Sequence, residues 1–504
     1  ASCLITLWQS ARTKAYDDIR WEACMKTINE LYKHSLVLLT DLYQLTMAYG
    51  YWKEKMADHE AVFHLFFRKH PFKGGYTLAC GLAYVCAFLE NFKFDDESLA
   101  YLATLEGNDG KPVFEKAFLN YLKSMKFSCN VDAVPEGTVV FPQEPLIRIE
   151  GPLIQCQLLE TVMLNIINFQ TLIATKAARI CYATGGEPVL EFGLRRAQGI
   201  DGALAASRAS FIGGCSATSN VLAGKLFDIP VKGTHAHSWV MCFDKEIDSF
   251  RAYAEAMPNN CVFLVDTYDT VGGVRHAIEV GKELRKGGHE MVGIRLDSGD
   301  LAYLSIKARE MLDEAGFPNA AIVASNDLDE RVISSLKQQG ATIGVWGVGT
   351  KLATAYEQPA LGGVYKLAAI RKPQGQWIPK VKLSEQAVKT STPGPQQVRR
   401  YWDNHNCGDV IYNVGTDISK GCIIVDPLNP MRRKKLSADL KHEDLLIPIY
   451  RDGKLIYEPP SAKEVRERVK KQLDRFHGGV KRLVNPHEYP AGLEKSLYDL
   501  KMKL

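Results

Sequence analysis

The 504-residue chain carries 62 Lys and Arg against 58 Asp and Glu, a net charge of +4 with both signs interspersed, which leaves no basic groove for nucleic acid and no polybasic membrane anchor. Its composition is that of an ordinary soluble enzyme, and its length accommodates a barrel of roughly 250 residues plus a smaller domain. The twelve cysteines form no CxxC pair, so neither a structural zinc site nor a thioredoxin-like centre is indicated, and reduced thiols in a cytoplasmic protein are expected.

In chain order, residues 1–34 hold one short apolar core, Cys3-Leu4-Ile5-Thr6-Leu7-Trp8, with basic residues after it rather than before. That order does not fit a secretory signal, and the segment reads as an extension. Residues 36–150 mix helical patterns at 38–53, 76–92 and 97–105 with strand-like runs at 60–68 and 145–150, predicting an N-terminal α+β domain. A connecting helical segment follows over 151–186. Its apolar stretch 161–175 includes Asn165, Asn168 and Gln170 and falls short of the roughly 20 residues of a membrane span, so a buried or interface helix is expected.

From about Glu187, apolar runs alternate with amphipathic helical patterns, the signature of parallel βα units. Eight runs, at 189–195, 210–214, 229–234, 261–267, 291–297, 321–325, 343–350 and 364–370, predict an irregular (β/α)8-type barrel over 187–372. The segment 271–286, stopped by Gly287-Gly288, reads as a covering helix. Residues 373–504 open with a Pro-, Gly- and Gln-rich loop and continue with strands and a basic helix at 462–474. This tail is expected to pack on the N-terminal region and complete a second α+β domain.

Barrel chemistry gathers at the C-terminal ends of strands. Seven of the runs end there in polar or glycine-rich groups, including Arg195-Arg196, Thr234-His235-Ala236-His237, Asp266-Thr267-Tyr268-Asp269, Arg295-Leu296-Asp297 and Gly347-Val348-Gly349-Thr350. Gly349 and Thr350 can cradle a phosphate or simply form a tight turn. Arg295 and Asp297 share a strand face, as needed to hold an anionic, hydroxyl-rich ligand or magnesium; a rim salt bridge is the plain alternative. Asp266 can lie near magnesium and diphosphate, whereas Asp269 reads as a helix cap. Of Arg195 and Arg196, only one can face the site if the strand persists.

The histidine pair admits three readings. His235 and His237 can converge on a metal, as in a metal-dependent barrel hydrolase, although the later strand ends supply no further histidines. One of them can accept a phosphoryl group and couple ATP hydrolysis to another reaction. Either can be a neutral histidine held by hydrogen bonds.

Several motifs together resemble the nicotinate phosphoribosyltransferases, of the type II phosphoribosyltransferase fold. They are Leu39-Thr40-Asp41-Leu42-Tyr43-Gln44, Phe192-Gly193-Leu194-Arg195-Arg196-Ala197, Gly233-Thr234-His235-Ala236-His237-Ser238, Ile294-Arg295-Leu296-Asp297-Ser298-Gly299-Asp300, Gly347-Val348-Gly349-Thr350, Leu361-Gly362-Gly363-Val364-Tyr365-Lys366-Leu367 and Asn485-Pro486-His487-Glu488-Tyr489. The resemblance spans about residues 36–504.

It implies a reaction: nicotinate and phosphoribosyl diphosphate give nicotinate mononucleotide and diphosphate, with ATP hydrolysis coupled and magnesium required, as the entry to NAD salvage from the acid. By motif, Tyr43 would border nicotinate, Thr234 and Arg295 would hold it, and Thr350 with Gly349 would bind the 5-phosphate. His237 matches the histidine phosphorylated in the family, and His235 has no role assigned. Arg195, Asp266 and Asp297 would serve as electrostatic and ribose-positioning groups. The family's use of Tyr43 at a neighbouring subunit's site implies a homodimer. The nicotinamide-using relative, a metal-dependent hydrolase and a catalytically silent binding protein are the alternatives.

Overall fold

The computed structural model describes residues 35–504, so the expectations for residues 1–34 lie outside the described residues. The chain divides into two compact units, one joining residues up to Lys55 with Ala87–Phe127, the other joining Met56–Cys86 with Ser128–Leu504. Residues 36–150, expected as one α+β domain, thus contribute to both units. Their strands pair with one another and also with strands far along the chain, Gly363–Arg371 and Ile447–Arg451.

In the small unit, the helix Leu42–Lys53 sets Tyr49 edge-on to Phe114 at 5.8 Å and tilted on Phe118 at 5.2 Å. The helices Asp96–Ala103 and Lys116–Ser124 bury Leu99, Leu102, Phe118 and Leu122. Aromatic area on this scale holds a small helical core together.

The large unit contains three main sheets. In the first, Glu60–Phe67 lies between Gly363–Arg371 and Ile147–Pro152, antiparallel to both. Buried at nearly every position, it reads as a continuous apolar run. Residues 364–370 thus form a strand as expected, but in this antiparallel sheet rather than in the barrel, which ends the parallel array before residue 363. The same sheet takes in Ile447–Arg451, paired with Asn130–Ala133. The C-terminal region also builds a sheet of its own around a core of Tyr401, Val410, Tyr412, Ile424 and Leu436.

The second sheet is all parallel, in the order Ala217–Thr218, Val189–Glu191, Val345–Val348, Ala321–Ala324, Gly293–Leu296, Val262–Leu264. The chain is mixed α/β with an irregular barrel-type sheet, and this sheet has six strands rather than eight. The run 210–214 is the end of the helix Ile200–Ile212, and the strand in its place is Ala217–Thr218. A seventh stave is irregular: Val231 bridges Thr218 in parallel, and the His235 side chain reaches the other edge strand at Leu264.

Helices follow the strands for local reasons. Thr270–Lys286 buries Val274, Ala277, Val280, Gly281 and Leu284 at helical spacing. Asp269 caps it by accepting the Gly272 N–H at 2.6 Å, and Gly287 ends it. Asp300 and Asp329 cap Leu301–Glu314 and Glu330–Gln338 in the same way. The long helix Glu160–Thr184 carries the stretch 161–175 and is largely buried. Among the described residues no helix is long and apolar enough to cross a membrane.

Candidate functional site at the parallel strand ends

Six parallel strands release their chains at one end of the sheet, and the polar residues expected there converge. Asp266, just past Val262–Leu264, accepts from the Asp297 N–H and the Ser298 hydroxyl, both at 2.7 Å, through Oδ2. Its Oδ1 is buried without a protein partner. Asp297, just past Gly293–Leu296, accepts from the Ser325 hydroxyl through Oδ1 and places Oδ2 3.6 Å from His237 Nε2. The His237 and Asp297 side chains are 38% and 33% exposed, so a ligand can reach both.

His237 begins the short helix His237–Met241, and its Nδ1 lies 3.1 Å from the Thr267 hydroxyl. Thr267 therefore orients the ring from one side while Asp297 faces the other. Arg295, which shares a face with Asp297, donates to the Thr234 hydroxyl. Burial pushes the Arg295 guanidinium below the usual arginine range, against the pull of Asp297 and Asp266 and with Arg195 adding like-charge repulsion. It remains a cation at any physiological pH. Its Nε is buried without a partner, so the fork is not saturated by protein.

His235 does a different job. It is buried at 8% exposure, edge-on to Tyr253 at 4.9 Å, and its Nε2 accepts the Leu264 N–H at 3.2 Å. Burial, above all, pushes its pKa down to about 4, so the ring is neutral and Nε2 is its lone-pair nitrogen. The two imidazoles are engaged by different strands, and the nitrogen of His235 that could ligate a metal is already used. Among the described residues no group of three His, Cys, Asp or Glu side chains is placed to hold a metal by itself, as a zinc hydrolase would need.

Arg195 and Arg196 do not alternate along a strand. The strand stops at Glu191, and both arginines sit exposed in the 3-10 turn Leu194–Arg196. Gly193 holds that turn against the last strand: a Cβ there would lie 2.3 Å from Ala353 Cβ and 3.0 Å from the Gly349 oxygen. Gly349 in turn would carry a Cβ 3.1 Å from the Phe192 oxygen, a tight fit, so close packing demands glycine at 193 and leaves little room at 349. Thr350 opens the short helix Thr350–Ala353 next to them. Tyr43 lies in the small unit on Leu42–Lys53, 48% exposed, its hydroxyl accepting from Gln44 Nε2.

Three contributors escaped the sequence reading. Ser325 and Thr267 orient Asp297 and His237, and their position at strand ends was the only signal. Glu191 is the third: buried, it accepts from the Gly193 N–H and from the Ser207 and Thr218 hydroxyls, tying the turn at Gly193 to two neighbouring elements.

This architecture has relatives. Models of the nicotinate phosphoribosyltransferase N-terminal domain, family and C-terminal domain match residues 38–168, 189–404 and 396–501. The chain belongs to the nicotinate phosphoribosyltransferase family. It is 46% identical over 475 residues to a nicotinate phosphoribosyltransferase of Bacillus subtilis, covering 93% of this chain and 95% of that one. To the human nicotinate phosphoribosyltransferase it is 34% identical over 522 residues, covering 92% and 95%. The crystal structure of human nicotinic acid phosphoribosyltransferase superimposes with a TM-score of 0.81 at 32% identity, covering 92% of this chain and 99% of that one.

Proposed function

We propose that this chain transfers a phosphoribosyl group from phosphoribosyl diphosphate to nicotinate, coupled to ATP hydrolysis through phosphorylated His237, as the entry to NAD salvage from the acid. The observation that carries the proposal is the convergence of a buried, unsaturated cation with an exposed histidine–carboxylate pair at the strand ends of a chain in this family. Arg295 and Thr234 hold the nicotinate carboxylate, with the Arg295 fork supplying a charge-assisted contact. The pyridine nitrogen then attacks the ribose anomeric carbon as the bond to diphosphate breaks, and no general base is needed. Arg195, Asp297 and Asp266 orient the ribose and shape the field around the leaving group; Gly349 and Thr350 receive the 5-phosphate.

The carboxylates also fit magnesium. Asp266 Oδ1 is buried and unpaired and Asp297 Oδ2 faces outward to His237, two hard oxygens of the kind that hold this ion together with substrate phosphates. Magnesium bound there would neutralise charge on the departing diphosphate. In the ATP half-reaction, Thr267 accepting Nδ1–H leaves the His237 Nε2 lone pair to attack the γ-phosphorus, and the electrons of the broken bond leave with ADP.

A homodimer follows from the same reading. Leu42, Tyr43 and Met47 on the helix Leu42–Lys53, with Leu39 just before it, are 40–56% exposed, an apolar surface suited to a second copy that uses Tyr43. The ten cysteines among the described residues are free thiols, which suits the cytoplasm.

Incubation with γ-labelled ATP tests the central claim. Acid-labile label is expected on His237 and absent in His237→Ala, which retains slow, ATP-independent synthesis of the nucleotide. Label persisting in that variant removes His237 from the role.

A further inference from the structure

A second concavity, a cleft of about 800 Å³, shares no lining residue with the strand-end site. Its size lies in the range of small-molecule sites. Four stretches of the large unit line it: the loop after the strand Glu60–Phe67, residues 141–143, the hairpin of Cys422–Val425 and Arg433–Leu436, and the tail carrying Asn485-Pro486-His487-Glu488-Tyr489. That last motif has no task in the proposed reaction.

The cleft is built firmly. Tyr489 stacks on Phe141 at 4.3 Å and donates its hydroxyl to Asp409 Oδ1 at 2.9 Å, and Asp409 is clamped by the fully buried Arg400. Three lining residues that are not glycine, Lys73, Gln143 and Asn485, sit in the left-handed region with φ of 51°, 70° and 48°. Non-glycine residues held there cost energy, and such strain gathers at ligand sites.

The charges are unbalanced. Lys73, Arg432, Arg433 and Lys434 face Asp426 and Glu488. Arg432 pairs with both acids. Lys73, Arg433 and Lys434 make no ion pair among the described residues; Arg433 Nε and Lys434 Nζ bond to the carbonyl oxygens of Pro430 and Cys407. Beside these cations, Met431 stands 89% exposed and Leu428 51%. Unpaired cations next to apolar surface fit a ligand that is anionic at one end and flat or apolar at the other.

We propose that this cleft binds a phosphorylated small molecule with an aromatic part, the chemistry of a nucleotide, at a site separate from the strand ends.

The test is photolabelling of the full chain with 8-azido-ATP, followed by mapping of labelled peptides. Label is expected on peptides from 424–434 or 485–492, and excess inorganic tripolyphosphate should displace it where adenosine does not. The double variant Arg433→Glu, Lys434→Glu should lower the cleft label by about tenfold or more, the weight of one charge-assisted hydrogen bond. Lys73→Glu, on a different loop, should do likewise, so that misfolding of the hairpin cannot account for the loss. Cleft label surviving both variants, or no cleft label in the unaltered chain, overturns the proposal. So does a change of oligomeric state in both variants without cleft label, which would make the surface an interface between copies. Label in the cleft but none at the strand ends would keep this site while counting against ATP use by His237.

Discussion

Replacing His235 by Leu separates a structural histidine from a catalytic one. Leucine fills a similar volume but accepts no hydrogen bond, so the buried Leu264 N–H loses its partner. An orphaned buried amide costs about 1–3 kcal/mol, and loss of the edge-to-face contact with Tyr253 adds about 0.5–1.5 kcal/mol. We expect destabilisation of about 1.5–4.5 kcal/mol at pH 7, read from urea or guanidinium unfolding. The pH dependence carries the sharper signature. In the folded chain the His235 pKa lies near 4, below the roughly 6.5 of the unfolded chain. The unfolded state therefore binds a proton first, and the folded state loses stability as pH falls from about 6.5 towards 4. His235→Leu has no such proton to lose. The gap between the two proteins should therefore shrink on acidification, by about 2.5 kcal/mol at pH 4.5. A gap below about 0.5 kcal/mol at pH 7, or one that does not change with pH, would refute the structural role of this residue.

Other substitutions probe the site itself. Ser325→Ala frees Asp297 Oδ1, and kcat is expected to fall on the order of tenfold with the folded fraction unchanged, as befits lost orientation; an unchanged kcat removes Ser325 from the positioning role. Gly193→Ala drives a methyl into Ala353 and the Gly349 carbonyl, so the KM for phosphoribosyl diphosphate should rise and stability drop by about 1–3 kcal/mol, measured by steady-state kinetics and melting. Arg295→Lys keeps the charge but loses the planar fork, so the KM for nicotinate should rise about tenfold or more and preference for the acid over nicotinamide should weaken. Preference for the amide in the unaltered chain would replace the proposed substrate with that of the nicotinamide-using relative.

Buried neutral histidines recur in this molecule. His64, in the middle of Glu60–Phe67, accepts the Gln396 N–H at 3.2 Å through Nε2, and burial, aided by nearby Arg148, pushes its pKa down to about 3. His235 uses the same device to tie an irregular stave to a strand edge. In each case an imidazole lone pair stands in for a missing backbone carbonyl.

Local signals were legible along the chain. The basic helix expected at 462–474 is the helix Ala462–Asp474, held by a capping box between Ser461 and Glu464. Thr270–Lys286 likewise carries its own cap, apolar stripe and glycine stop. Where partners are distant, local sequence is ambiguous. The apolar run at 210–214 is the buried end of a helix, which short runs cannot reveal, and 364–370 pairs with a strand some 300 residues earlier. Strand-forming composition does not say which sheet a strand joins.

The sequence by itself determined the βα alternation, the caps and the placing of polar residues where strands end, because these depend on neighbours a few residues apart. The tertiary structure decided what each polar residue does. Asp269 and Asp300 turn back to cap helices, while Asp266 and Asp297 are held at adjacent strand ends by a backbone N–H and two serines. His235 and His237, two residues apart, part company because one meets the edge amide of Leu264 and the other meets Thr267 and Asp297. Leu264 and Thr267 lie 29 and 30 residues away along the chain and Asp297 twice as far, and only the packing of parallel strands brings them together.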